Sequence, residues 1–162
     1  MIGKGFQGKV LVFDMDGTIV DLYGVRNWLP QLRCESVLPY VVAKPLVDMK
    51  RLNDILSQLK EFGWRVAVVT WGSKGATSEY NARISTAKKE WLDKYKFPYD
   101  DFYFLSYGVD KNKPASIYEG WLKILIDDDD RVREQWSGQA VNPQDINMIL
   151  SFETVLAMEQ WG

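Results

Sequence analysis

The stretch KVLVFDMDGTIVD, residues 9 to 21, constrains this chain more than any other. A short apolar, β-branched run without alternation reads as a strand buried on both faces, as in parallel sheets. It runs into Asp14 and Asp16, one residue apart, and then Gly17 and Thr18. Two carboxylates about 4 Å apart repel by roughly 4 kcal/mol at an effective dielectric of 20. No basic residue stands beside them in the sequence, so something positive has to arrive from elsewhere.

Three more runs share the character of the first: RVAVVT (65–70), DFYFLS (101–106) and LKILID (122–127). Helical patterns separate them. Pro45 suits a first turn, followed by Leu46, Met49, Leu52, Leu56 and Leu59 at spacings of three and four, with Gly63 as the stop. Tyr80, Ile84, Ala87, Trp91 and Tyr95 mark a second helix; Ile146, Ile149, Phe152 and Leu156 mark a third, with Pro143 near its start. The expected class is α/β: a Rossmann-like, mostly parallel sheet with helices on both faces. At 162 residues it is expected to form a single domain. Residues 22–44 are too long for a strand-to-helix loop of about 2–6 residues. They read as a small helical cap inserted beside the end of the first strand, its short helix broken by Pro30.

Composition narrows the chemistry. The chain has no histidine and one cysteine, Cys34, which excludes Ser-His-Asp and Cys-His catalysis, histidine and thiolate zinc sites, and an internal disulfide. A net charge of -2 gives no general reason to bind a nucleic-acid polymer or an anionic membrane surface. No apolar run approaches a membrane span and the first ten residues lack a signal-peptide core, so a cytoplasmic location is expected.

In open parallel sheets, ligands bind beyond the carboxyl ends of the strands. Here those ends carry Asp14 and Asp16, then Thr70, then the loop DKNKP (110–114), then DDDD (127–130). Asp14, Asp16, Asp127 and Asp128 in one place call for a divalent cation, and an all-oxygen ligand set suits Mg²⁺ with a substrate phosphate. A carboxylate is already ionised at neutral pH, so Asp14 needs no histidine to act as a nucleophile on phosphorus. Asp129 and Asp130 read as helix-start residues favoured by the helix dipole.

DMDGT after an apolar strand, Thr70 closing the second strand, a downstream lysine and an acidic pair closing another strand resemble the haloacid dehalogenase superfamily, in that family's order, over residues 9 to about 130. The resemblance implies a phosphomonoester hydrolase that forms an aspartyl-phosphate on Asp14. It implies that Asp16 protonates the leaving oxygen, later activates water, and offers its backbone carbonyl to the metal. Thr70 would bind the phosphoryl group, and Asp127 and Asp128 would complete the Mg²⁺ site, Asp128 being preferred as the direct ligand. The family's lysine is either Lys111 or Lys113, with Lys111 preferred. The small cap, the IDD ending and the DK loop look most like 5'(3')-deoxyribonucleotidase-like proteins of bacteria and phages, which implies a (deoxy)nucleoside monophosphate as substrate.

Trp28 in the cap and Trp71 beside Thr70 are placed to stack on a nucleobase, with packing as the competing role. WGSKG (71–75) lacks the spacing of a P-loop and reads as an extension of the threonine loop, where Ser73 or Lys74 could approach a phosphate. GKGFQG (3–8) matches a dinucleotide fingerprint but precedes a strand instead of following one. The competing functions are a phosphatase or phosphomutase for a sugar phosphate or other small metabolite, and a non-catalytic phosphoacceptor or binding domain. The phosphoacceptor reading fits poorly, because its acceptor would lie on a later strand; a binding domain that keeps the site without turnover stays open.

Overall fold

The apolar runs do form a buried sheet. In the computed structural model, which describes residues 2–162, five parallel strands lie in the order β5-β4-β1-β6-β7. Their ranges are β1 Lys9–Phe13, β4 Trp64–Trp71, β5 Asp101–Leu105, β6 Leu122–Ile126 and β7 Gln139–Val141. β1 is central and fully buried, paired to β4 on one side (Val12 opposite Ala67) and to β6 on the other (Val12 opposite Leu125). The alternating side chains of β1 feed two cores. Leu11 and Phe13 face a layer that includes Leu52, Leu56, Phe152 and Leu156, while Val10 and Val12 join Val69, Leu125, Tyr118 and Val132. Helices therefore cover both faces. β5, at one edge, is only half-buried, and β7 is a three-residue edge strand that the sequence pattern did not announce.

The helix bounds differ from expectation at two starts. α3 spans Met49–Glu61 and begins at Asp48, whose carboxylate accepts the Arg51 N–H at 3.2 Å. That cap outcompetes Pro45, which lies instead in a two-residue strand β3 (Lys44–Pro45), and Leu46 is left exposed. α7 spans Met148–Trp161 with Asn147 as its cap, so Ile146 and Pro143 both precede it. α4, Ser78–Lys94, follows the predicted stripe and is capped by Thr77.

The inserted segment rises from a stem in which β2 (Val20–Asp21) pairs antiparallel with β3. Two short helices follow, α1 (Trp28–Arg33) and α2 (Leu38–Val42). Pro30 does not break α1; it sits in the first turn, where its missing N–H has no partner to lose. Leu32 and Tyr40 pack with Tyr80, Ile84 and Ala87 of α4. The Tyr80 hydroxyl donates to the Ser36 carbonyl at 2.7 Å, Arg83 donates to the Glu35 carbonyl, and the Trp91 indole donates to the Ala43 carbonyl. The cap is thus tied to α4 of its own chain. No helix among the described residues is long and apolar enough to cross a membrane.

Candidate active site

Connections from β1 lead outward to β4 and β5, then return to β6 on the other side of β1. The strand order therefore reverses between β1 and β6, which is where a parallel sheet opens a crevice at its carboxyl edge. Asp14 leaves β1 and Asp127 leaves β6 at that point, with the Asp14 N–H donating to the Ile126 carbonyl at 3.0 Å. One helix beyond β6 takes up two of the remaining aspartates. Asp129 caps the short helix α6 (Asp130–Gln135) by accepting the Arg131 and Val132 N–H groups, so Asp129 and Asp130 are helix-start residues.

The lysine that answers the carboxylates is Lys111. It caps a short helix, α5 (Asn112–Ala115), and is 3% exposed. Its ammonium donates to Asp14 Oδ1 at 2.9 Å and to Asp127 Oδ2 at 2.7 Å. Burial alone would lower its pKa; the charges of Asp14 and Asp127 outweigh that and push it up to about 12. Lys113 is exposed and takes no part in this cluster. The other oxygen of Asp14, Oδ2, accepts from the buried Thr18 hydroxyl at 3.0 Å.

One lysine is not enough. Asp14, Asp127 and Asp128 each bring a carboxylate oxygen within 4.8 Å of the others. Burial, and then the Asp14 carboxylate, raise the pKa of Asp127 to about 6 and that of Asp128 to about 8. Asp128 lies within hydrogen-bonding reach of Asp14, yet two carboxylates need a proton or a cation between them. Three buried or half-buried carboxylate oxygens at this spacing could hold a metal ion. The chain makes room for Asp128 by having Gly17 at φ +80°, where a Cβ would overlap Asp128 Oδ2.

The Asp16 side chain stands apart from that trio. Its Oδ2 accepts from Lys88 at 2.9 Å. Burial raises its pKa, against the lowering effect of Lys88. Thr70, in β4, is fully buried, and its hydroxyl oxygen accepts from the same Lys88 at 2.7 Å. Sequence reasoning did not single out Lys88. Its signal was present: a lysine four residues after Ile84 interrupts the apolar stripe of α4.

Over these groups lies a cleft of about 620 Å³, the size of a small-molecule site. Asp14, Asp16, Lys111 and Asp127 to Asp130 form its floor, Trp71, Ser73 and Lys74 one wall, and Trp28, Tyr23 and Tyr40 the cap side. Trp71 is committed on one face, where the Lys111 ammonium sits 5.2 Å from the ring centroid, and its indole N–H donates to the Val109 carbonyl at 2.8 Å. Trp28 meets Tyr23 edge-on, 5.0 Å between centroids, and Tyr23 is half exposed. No family model and no curated protein sequence matches this chain, so the chemistry of the cleft rests on its own residues.

Proposed function

We propose that this protein is a Mg²⁺-dependent phosphomonoester hydrolase of the haloacid dehalogenase type, working through an aspartyl-phosphate on Asp14. The observation that carries the reading is Lys111 bridging Asp14 and Asp127, with Asp128 alongside, at the reversal of strand order. A structural ion pair has no need of a third buried carboxylate; a phosphoryl-transfer site does. Asp14, Asp127 and Asp128 would hold the cation, which when bound neutralises charge on the phosphoryl oxygens.

The residues then divide the work. An oxygen of Asp14 bonds to phosphorus as the bond from phosphorus to the leaving oxygen breaks. Asp16 gives its proton to that leaving oxygen. Water next attacks the phosphorus, Asp16 takes the water's proton, and phosphate departs with the Asp14 carboxylate restored. Lys111 and Thr18 fix the rotamer of Asp14, and Lys111 adds positive charge where the transition state is most anionic. Thr70 accepts from Lys88 and so keeps its hydroxyl hydrogen for a phosphoryl oxygen; Ser73, on the cleft wall beside Trp71, is a second hydroxyl.

The substrate we infer is a (deoxy)nucleoside monophosphate, supported by the aromatic lining of the cap side. Trp28 and Tyr23 form the better stacking surface, because Lys111 occupies one face of Trp71. The test is phosphate release with Mg²⁺ across nucleoside monophosphates and sugar phosphates. Preference for nucleotides, reduced in Trp28→Ala, is the expected result. Preference for sugar phosphates would keep the mechanism and discard the stacking role, whereas no release from any ester would overturn the enzyme reading.

A further inference from the structure

Lys88 is a buried charge beside the site that the reaction scheme uses only as a donor to Thr70. It projects from the middle of the seventeen-residue helix α4 and is 1% exposed. An ammonium has three N–H donors, and all three are placed: on Asp16 Oδ2 at 2.9 Å, Thr70 Oγ1 at 2.7 Å and the Trp71 carbonyl at 2.7 Å. The Tyr40 ring of the cap lies 5.3 Å from the same nitrogen. Its partners thus come from the loop after β1, from β4 and from the cap.

A buried ion pair gives weak support to stability, since apolar residues of like volume often do as well. With Ile84 before it and Trp91 and Leu92 after it, an apolar side chain at this position would complete the stripe of α4. What lysine adds is orientation. It holds one oxygen of Asp16 and leaves Oδ1 as a buried carboxylate oxygen without a hydrogen-bond partner among the described residues. Asp16 lines the cleft, and a carboxyl held by a single lysine there is a group kept for something that enters the cleft.

We propose that Lys88 is a positioning residue for proton transfer: it clamps Asp16 Oδ2 and the Thr70 hydroxyl and so fixes the Asp16 carboxyl for proton exchange with the substrate. The proposal rests on the phosphatase reading of the site. As the bond from phosphorus to the leaving oxygen breaks, its electron pair goes to that oxygen, which takes the proton from the Asp16 carboxyl. When water attacks the aspartyl-phosphate, the Asp16 carboxylate takes a proton back.

Leaving-group dependence separates this role from a merely structural one. An alkoxide leaves only if protonated, whereas p-nitrophenolate leaves as the anion. The experiment measures kcat/KM of wild type and Lys88→Met, with Mg²⁺, on the best-hydrolysed alkyl phosphate of the panel above and on p-nitrophenyl phosphate. Lys88→Met should lose about 100-fold or more on the alkyl ester and less than about tenfold on the aryl ester. Equal losses on both would overturn the proposal. Because that variant leaves a carboxylate buried beside no cation, Lys88→Met/Asp16→Asn is measured against Asp16→Asn as well, both charges then being removed. If Lys88 acts through Asp16, the two agree within about twofold on the alkyl ester; a further large loss in the double variant would overturn it. A wild type that hydrolyses neither ester would instead overturn the phosphatase reading, and the role of Lys88 with it.

Discussion

Asp14 can sit at a reactive position because each of its neighbours has a defined task. Lys111 and Thr18 hold its two oxygens, and Gly17 lets the chain turn tightly enough for Asp128 to approach. Gly17→Ala would place a side chain both at positive φ and against Asp128, a cost of about 1–3 kcal/mol. The expected outcome is a lower melting temperature together with a smaller rise on adding Mg²⁺; an unchanged metal response would argue against Asp128 as a ligand. Lys111→Ala should reduce phosphate release far more than Lys113→Ala, since only Lys111 reaches the carboxylates. The carboxylates themselves were legible from DMDGT and DDDD, because strand ends converge in a parallel sheet. Lys111 is preferred over Lys113 through the resemblance alone, as spacing does not say which lysine turns inward. Lys88 was hidden for another reason: a lysine within an apolar stripe looks like a solvated neighbour of that stripe until its three partners are seen.

Among the elements, β1 carries the molecule at both ends. Its carboxyl end delivers Asp14, and its amino end holds α7 in place through Lys9, whose ammonium donates to Glu159 Oε2 at 2.6 Å and to the Phe62 carbonyl at 2.9 Å. Burial works against ionisation of Glu159, but Lys9 and the Ile2 N–H together hold its pKa below the usual range. Glu159→Ala leaves Lys9 buried without its counter-charge and should cost about 3–5 kcal/mol in chemical denaturation. A loss below about 1 kcal/mol, the scale of an exposed pair, would show the ammonium re-solvated. The long buried strands and the stripe of α4 were legible because their periodicity is set by burial. The starts of α3 and α7 were misplaced because an Asp or Asn cap decides where a helix begins, and prolines upstream drew the reading toward themselves. β7 has three residues and no pattern to find.

At the scale of the whole molecule, the reversal of strand order beside β1 and the cap on α4 enclose one cleft above the acidic cluster. Raised pKa values at Asp127 and Asp128 mean that the metal-free folded state binds more protons than the unfolded chain, whose carboxylates titrate near about 4. Their penalty is absent below that unfolded value, grows as pH rises above it, and levels off above about 6 for Asp127 and about 8 for Asp128. With chelator present, the melting temperature should therefore fall between pH 5 and 8 more steeply in wild type than in Asp128→Asn, and saturating Mg²⁺ should flatten the difference. Identical slopes in both proteins would contradict the electrostatic account of the cluster. The most direct test of the central claim is phosphate release by wild type and by Asp14→Asn, both shown to be folded, with and without Mg²⁺. Release that requires both Mg²⁺ and Asp14 is the predicted result; release undiminished in Asp14→Asn would contradict it.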